Sequence, residues 1–211
     1  MPQGHEYAED YYEFSRPETG IKSKVDTIRD SFIRRQILKR VCRGALLDVG
    51  CGIGMFLQTM AAEFDLYGVD ISDFAIKKCH ERLPSAHLAV GSLIEGLPFE
   101  RTFDVISAIN VMEHLEEPLA AAKVVRSRLR PGGLFVTHLP TIGNKVQARL
   151  YKGSYDQDPT HIYRPSGAAY QKLVSSAGFN CTFQTYAPFV GAPIWRTLKI
   201  HPAHVAIFEA V

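Results

Sequence analysis

Cysteine is scarce in this sequence and is not arranged for metal binding. Cys42, Cys51, Cys79 and Cys181 are the four, no two stand in CxxC spacing, and no metal-ligand spacing accompanies them. They read as buried or incidental thiols in a reducing compartment. Long apolar runs are also missing. No stretch approaches the ~20 residues that span a bilayer, and Met1 to Asp10 has neither a basic opening nor an apolar run. A signal peptide and a membrane partner are therefore not expected, and the expected location is cytoplasmic. Charge of one sign is lacking too. The net charge of +2 gives no global pull toward nucleic acid or anionic lipid. No internal repeat or low-complexity tract occurs.

What is present is ordinary globular material. The 211 residues suit one domain on the prior of roughly 100–200 residues and suffice to bury a sizeable core. Hydrophobic residues are 46% and charged residues 22%, both usual for such a domain.

Periodicity organises the chain. Residues 1–20 are acidic and aromatic, with Tyr7, Tyr11, Tyr12 and Phe14. From Ile21 to Arg43 the pattern is helical, with Ile28, Phe32, Ile37 and Val41 recurring. Arg29, Arg34, Arg35, Lys39, Arg40 and Arg43 form its basic side, read as a solvated face. Residues 1–44 are thus assigned to an N-terminal helical cap and 45–211 to the main domain.

Ala45–Val49 reads as a buried strand. Phe56, Leu57, Met60, Ala61 and Phe64 then fall at helical spacing. Leu66–Asp70 is a second strand, and Ser72 caps a helix to about Leu83. Ala86–Val90 and Phe103–Ile109 are further strands. Pro118 opens a helix lined by Leu115, Leu119, Ala122, Val125 and Leu129, which Pro131-Gly132-Gly133 stops. Leu134–His138 is a fifth strand. Ser166 caps a helix that Gly178 closes, and Phe179–Tyr186 and Val205–Ala210 finish the sheet. Strands alternating with helices predict an α/β fold with a mostly parallel sheet. Residues 139–165 and 188–203 exceed the usual loop of ~4–6 residues and are expected to build the substrate side.

The chemistry concentrates at Asp48-Val49-Gly50-Cys51-Gly52-Ile53-Gly54. A buried strand ending near a carboxylate, then three alternating glycines, then a helix, is the grammar of a nucleotide site. Glycines let the backbone turn and approach a ligand closely. A dinucleotide fingerprint needs glycine at positions 1, 3 and 6. Here Gly50 and Gly52 are followed at the sixth place by Met55. Asp48 would also repel a pyrophosphate, but it suits a ligand carrying ammonium and sulfonium. Asp70 ends the second strand, where a carboxylate can accept hydrogen bonds from both hydroxyls of a ribose.

The run Leu46 to Gly54 closely resembles the first motif of class I S-adenosylmethionine-dependent methyltransferases. Phe103-Asp104-Val105-Ile106 with Asn110-Val111-Met112-Glu113-His114 resembles their fourth-strand region, and Leu129 to Phe135 their fifth-strand motif. The subset most resembled is the bacterial group that includes ubiquinone-biosynthesis methyltransferases. The resemblance implies a Rossmann-like seven-stranded sheet, mostly parallel with one antiparallel strand, and helices on both faces. It implies S-adenosyl-L-methionine as cofactor and S-adenosyl-L-homocysteine as product. Asp48, Gly50, Gly52 and Gly54 would surround the methionine portion, Asp70 would take the ribose, and Ile71 and Leu93 would flank the adenine. Asn110 and, from the N-terminal cap, Tyr12 complete the cofactor set. Relatives often place an acid after the third strand. This sequence has Gly91-Ser92, and Ser92 offers a hydroxyl there instead.

Methyl transfer leaves the protein to position the acceptor and remove its proton. Histidine is the natural base near neutral pH. His114 follows the fourth strand, at the edge where ligands bind in such sheets. His161 lies in the long 139–165 segment, within Asp158-Pro159-Thr160-His161, and is preferred as base over His114. The plainer roles are cofactor contact or helix capping for His114 and loop pinning for His161. Some related methyltransferases hold a divalent metal with a Glu-His pair and a distant His. They usually add a second Glu three residues earlier, where this chain has Asn110. Catalysis without metal is therefore expected over a site of Glu113, His114 and His161. Phe189, Tyr151, Tyr155 and Trp195 are candidate walls of an acceptor pocket.

The expected function is methylation of a small molecule, at oxygen. One alternative is a macromolecular substrate, RNA or protein, docked on the basic 29–43 helix. Another is a non-catalytic cofactor-binding subunit. A nicotinamide oxidoreductase is disfavoured by Asp48 and Met55. Nothing in the sequence sets an oligomeric state.

Overall fold

The computed structural model describes residues 21–189, 194 and 197–211. Tyr12 and its neighbouring aromatics, the cap over residues 1–20, and Trp195 lie outside them. Seven strands form one sheet in the order β3-β2-β1-β4-β5-β7-β6. The chain falls into two compact units, one reaching Glu100 and one running from Arg101 to Val211.

The first unit carries α1 (Ile21–Leu38), β1 (Gly44–Val49), α2 (Met55–Met60), β2 (Phe64–Asp70), α3 (Asp73–Arg82) and β3 (His87–Val90). β1 is buried from Ala45 to Val49, because a parallel strand is covered on both faces. It pairs in parallel with β2, Asp48 against Gly68, and β2 pairs with β3, Asp70 against Val90. The Ser72 hydroxyl caps α3 by accepting from the Ala75 N–H at 3.2 Å. Two expectations shift. Phe64 is not the last helical position but opens β2, where it is buried. α1 ends at Leu38 rather than Arg43, since its buried stripe is Phe32, Ile33 and Ile37 while Ile28 is exposed.

The basic side of α1 is less solvated than its pattern suggests. Arg29 is buried between Asp26 and Asp30, at 2.6 and 2.8 Å. Arg34 donates to the Thr59 carbonyl at 2.8 Å and pairs with Glu63. Arg40 donates to the Gln36 carbonyl at 2.7 Å.

The second unit carries β4 (Phe103–Ile109), a 3₁₀ turn (Met112–His114), α4 (Pro118–Arg128), β5 (Leu129–Pro140), α5 (Lys145–Ser154), α6 (Gly167–Ser176), β6 (Phe179–Tyr186) and β7 (Ala203–Ala210). β4 and β5 run parallel, with Ile109 against His138. β7 runs antiparallel to both β5 and β6, as the resemblance implied. Phe135, Phe179, Phe208 and Tyr170 pack edge-on and tilted to form the core here.

Pro131-Gly132-Gly133 does not stop α4. The helix already ends at Arg128, and those residues lie inside β5. Gly133 serves close approach, since a Cβ there would sit 2.9 Å from the Arg130 carbonyl and 3.2 Å from that of Phe103. The 139–165 stretch is not a bare loop either. β5 continues to Pro140, and Asn144 caps α5 by accepting from the Val146 and Gln147 N–H groups, both at 2.9 Å. Among the described residues no helix is long and apolar enough to cross a membrane.

Candidate active site

In the first unit the candidate site is mainly backbone. Beyond β1 the chain passes through Gly50, Gly52 and Gly54 at φ 66°, 52° and 82°. That is left-handed space, which glycine occupies without the Cβ penalty. The turn consumes its own donors. Gly50 and Cys51 donate to the Val69 carbonyl at 2.8 and 3.1 Å, and Gly54 donates to the Cys51 carbonyl at 3.0 Å. Gly52 donates to Asp70 Oδ2 at 2.8 Å. A phosphate cradle keeps such N–H groups for the anion, so this geometry agrees with the argument against a pyrophosphate.

Asp48 is buried in β1, directly before the loop. Asp70 is buried at the end of β2, and its Oδ1 accepts the Ser72 N–H at 2.9 Å. Asp70 thus caps the turns at both of its oxygens. A carboxylate has about four lone-pair positions, so acceptance from a ribose remains compatible with these two bonds. Ile71, Met55 and Phe74, all partly buried, pack against Ile53 and Ala75. This apolar patch follows the loop and includes one of the expected adenine neighbours. Leu93 is buried, and Ser92 Oγ accepts the Ile94 N–H at 3.3 Å. A carboxylate near an apolar patch, beside a turn whose Gly50, Cys51, Gly52 and Gly54 N–H groups are already engaged, fits a cationic nucleoside such as S-adenosylmethionine.

In the second unit the candidate site is side chains. The 3₁₀ turn after β4 delivers Glu113, fully buried, and His114, nearly so. The segment after α5 delivers His161, also buried. Its backbone is pinned by Arg164 Nε on the His161 carbonyl at 2.9 Å and by the Tyr163 N–H on the Glu113 carbonyl at 2.9 Å. The rings of His114 and His161 lie 4.8 Å apart. One ligand-type atom each of Glu113, His114 and His161 falls within 4.8 Å of the others.

Hydrogen bonding orients the two rings. The Thr160 hydroxyl donates to Asp158 Oδ1, and its N–H does so at 2.9 Å. His114 Nδ1 is 2.9 Å from that hydroxyl oxygen and 3.2 Å from the Thr160 carbonyl. With the hydroxyl proton spent on Asp158, both oxygens can only accept from the ring. Neutral His114 therefore carries its proton on Nδ1, and Nε2 is its basic nitrogen. His161 Nδ1 meets the Tyr151 hydroxyl at 3.2 Å, and its Nε2 stands 3.8 Å from Asp158 Oδ2. Burial lowers the His161 pKa despite the opposing Asp158 charge, so the ring is neutral at pH 7. Burial pushes the Tyr151 phenol up to about 12, so it stays protonated and its oxygen can accept from a proton on His161 Nδ1, which leaves Nε2 as the basic nitrogen of that ring. Burial also works against the Asp158 carboxylate, but the hydrogen bonds from Thr160 hold its pKa below the usual range.

The other acceptor-pocket aromatics divide. Tyr151 and Tyr155 lie together, 5.6 Å apart, and both approach His161. Phe189 instead meets His138 edge-on at 5.8 Å. Asn110, expected on the cofactor, has φ 57° and donates its N–H to the His138 carbonyl at 2.8 Å. Its Oδ1 also meets His138 Nδ1. The sequence reading missed His138, which looks like one inward residue of β5, and it missed Arg164. No spacing rule marks either one. A histidine closing the run Leu134-Phe135-Val136-Thr137 is the one signal the sequence offers.

A family described as "Methyltransferase domain" matches residues 23–184. The mitochondrial ubiquinone biosynthesis O-methyltransferase of Schizosaccharomyces pombe is 29% identical over 135 residues, 60% of this chain and 48% of that protein. A dTDP-3-amino-3,4,6-trideoxy-alpha-D-glucopyranose N,N-dimethyltransferase of Streptomyces venezuelae is 32% identical over 96 residues, 44% of this chain and 40% of that protein. The chain thus spans about half the length of the curated relatives it matches. Among solved structures, an S-adenosylmethionine-dependent methyltransferase from Clostridium acetobutylicum superposes with a TM-score of 0.72 at 14% identity, covering 98% of each chain. The glycine turn, the sheet order and the family match agree, and the chain belongs to the class I S-adenosylmethionine-dependent methyltransferases.

Proposed function

We propose that the chain transfers the methyl group of S-adenosylmethionine to a small-molecule acceptor, at a hydroxyl oxygen. The observation that carries this reading is the partly buried His114–Thr160–Asp158 chain with His161 against it. Bound S-adenosylmethionine supplies a methyl group already activated on a sulfonium. Asp48 would offset its positive charge, the turn at Gly50, Gly52 and Gly54 would hold the methionine portion, and Asp70 would accept from the ribose. His114 Nε2 takes the acceptor's hydroxyl proton as the oxygen attacks. Thr160 and Asp158 support the proton on Nδ1 and stabilise the imidazolium that forms. His161 shares the basic role, with Tyr151 on its other nitrogen. Position along the chain favoured His161 as base, whereas hydrogen bonding favours His114 Nε2. The oxygen preference draws on the ubiquinone biosynthesis O-methyltransferase relative, while the N,N-dimethyltransferase relative keeps an amine as the competing acceptor. For the macromolecular alternative, Arg29 and Arg34 are engaged within the fold, while Arg35, Lys39, Arg40 and Arg43 stay exposed as its docking surface.

A second reading has its own observation. Glu113, His114 and His161 converge closely enough to share a divalent ion, and a carboxylate with two neutral imidazoles is a normal donor set for one. There the ion would lower the acceptor's pKa, and the histidines would not be bases.

The test screens phenols, catechols, carboxylic acids and amines for methylation, then assays variants with the best acceptor. His114→Ala and His161→Ala should each lower turnover by about 10²–10⁴ fold, with S-adenosylhomocysteine affinity unchanged. The wild-type rate should be flat near neutrality and fall only in more acidic buffer, since burial lowers the His161 pKa from its ordinary range. Chelator should have no effect. Loss of activity on chelation, restored by a divalent ion, would select the metal reading. Near-normal turnover in both variants would end the proton-transfer role.

A further inference from the structure

α5 buries only Gln147 and Tyr151 of its 10 residues. At about 100° per residue the remainder divides into two exposed stripes. Lys145, Arg149 and Lys152, spaced i, i+4 and i+7, point away from the protein. Val146 and Leu150, spaced i and i+4, lie between that stripe and the buried one and are 54% and 40% exposed. The segment leading into β7 runs beside this helix. Asn144 Nδ2 donates to the Lys199 carbonyl at 2.8 Å, and Gln147 Nε2 donates to that of His201 at 3.0 Å. This segment adds Leu198, Lys199 and Ile200, all exposed. Aliphatic and cationic side chains thus intermingle over adjoining surface. No aspartate or glutamate occurs in residues 139–155 or 187–203. The local charge is therefore unbalanced, although the whole chain carries only +2. Aliphatic groups gathered in water beside unpaired charge mark a contact surface.

We propose that this face docks on the surface of an anionic lipid bilayer, with Val146, Leu150, Leu198 and Ile200 entering the headgroup region and the four cations held among lipid phosphates. A missing membrane-spanning helix does not bear on such docking. A peripheral face needs only a shallow apolar edge flanked by cations. The side-chain types favour lipid over other anionic partners. A lysine stem lies along apolar surface while its ammonium reaches outward, and three of the four cations here are lysine. Protein interfaces are instead depleted in lysine and anchored by aromatic residues and arginine. Single-stranded nucleic acid is held by aromatic stacking, which aliphatic side chains do not provide. Tyr151, on the buried side of the same helix, meets His161, so docking sets the candidate acceptor site one helix away from the lipid. The docking itself rests on this face alone and not on the methyl-transfer chemistry.

The experiment is co-sedimentation of the full chain with vesicles of phosphatidylcholine alone, or of phosphatidylcholine mixed with phosphatidylglycerol. Binding should require phosphatidylglycerol. It should weaken as added salt shortens the screening length from about 10 Å at 0.1 M toward 3 Å at 1 M. Each cation near an anionic surface contributes roughly fivefold, so Lys145→Gln, Arg149→Gln and Lys152→Gln together should weaken binding by about 100-fold. Val146→Ser with Leu150→Ser should weaken it by roughly tenfold and leave the salt dependence unchanged, since apolar insertion is not screened. A matched set on α1, Arg35→Gln, Lys39→Gln and Arg43→Gln, should bind as the wild type does. Circular dichroism checks each fold. Equal binding to both kinds of vesicle, or binding to neither, overturns the proposal. So does an α1 set that loses as much as the α5 set, or an aliphatic variant that binds normally. Salt-dependent capture of an RNA oligonucleotide through the same α5 cations, without vesicle binding, would assign the face to nucleic acid instead.

Discussion

The two units solve different problems with different parts of the chain. Up to Glu100 the candidate site is a contiguous backbone turn, Gly50 to Gly54, closed on the end of β2 by N–H groups that donate to the Val69 carbonyl and to the Asp70 carboxylate. From Arg101 onward it is a set of side chains from separated segments, His114 held by Thr160, 46 positions away. Backbone recognition suits a ligand common to a whole family, because it depends only on where glycine is allowed. Side-chain assembly suits an acceptor particular to one member. This division has measurable consequences.

The largest expected effect lies in the first unit. Gly52→Val should remove S-adenosylhomocysteine binding, a loss of more than ~100-fold by calorimetry. Position 52 sits at φ 52°, where a β-branched residue is a genuine outlier, so the turn must deform. The reason is conformational, not merely the space a branched side chain would take from the ligand. Gly52→Ala should fall between, since alanine tolerates that region at ~1–2 kcal/mol. Circular dichroism checks that the fold persists. Normal affinity in the valine variant would show that the turn does not carry recognition.

The next effect belongs to the second unit. His204 is fully buried and its Nε2 bonds Gln184 Oε1 at 3.2 Å. Burial, with Lys199 adding, lowers its pKa from 6.5 to about 4. Below pH ~6.5 the unfolded chain takes a proton on this residue and the folded chain does not. Stability is therefore full above that pH and falls as pH drops toward 4. Between pH 7 and 5 this single group should cost about 2 kcal/mol, and burial shifts His161 in the same direction. His80 and His87 of the first unit are surface residues, so acid lability should centre on the second. Urea unfolding of His204→Gln should show a flatter profile by that amount. A parallel profile would mean that acid sensitivity arises elsewhere.

The same division governs what could be read in advance. β4 and β6 were legible to the residue because both are continuous runs flanked by turn signals. The glycine turn and Asp70 were legible because their spacing is a backbone requirement. α5 was not, since Lys145–Ser154 has an Asn144 cap but exposes Val146 and Leu150, which hides its periodicity. The start of β5 was masked by Pro131-Gly132-Gly133, a helix-stop signal in which Gly133 serves a close strand approach. His138, Arg164 and the Tyr151 contact to His161 follow from tertiary placement alone, as does the bonding that orients His114.

A smaller effect probes Asp70, whose two oxygens each hold one backbone N–H. Alanine would release both and loosen the turn, so asparagine is the sharper replacement. Asp70→Asn keeps the shape and one acceptor oxygen, releases one of the two backbone N–H groups rather than both, and loses the charge offered to the ribose. A charge-assisted bond is worth about 1.5–3 kcal/mol, so affinity for S-adenosylhomocysteine should drop by roughly tenfold or more. Unchanged affinity would confine Asp70 to its turn-capping role.

The smallest effect compares the units directly through two matched helix caps. Ser72 Oγ accepts the Ala75 N–H at 3.2 Å in the first unit, and Ser166 Oγ accepts the Ala169 N–H at 3.1 Å in the second. Each alanine replacement leaves one N–H unsatisfied at a helix start, so each should cost about 1 kcal/mol of stability. Their effects on the cofactor should differ. Ser72 also gives its N–H to Asp70, and the lost cap frees the start of α3 to shift that N–H. Ser72→Ala should therefore weaken S-adenosylhomocysteine binding by roughly two- to threefold, well under 1 kcal/mol. Ser166→Ala should leave binding unchanged, because no residue of the glycine turn or of Asp70 bonds to that cap. Equal affinities in the two variants, at equal stability loss, would show that Asp70 is positioned by β2 alone. A weaker affinity in Ser166→Ala would show that the second unit takes part in seating the cofactor.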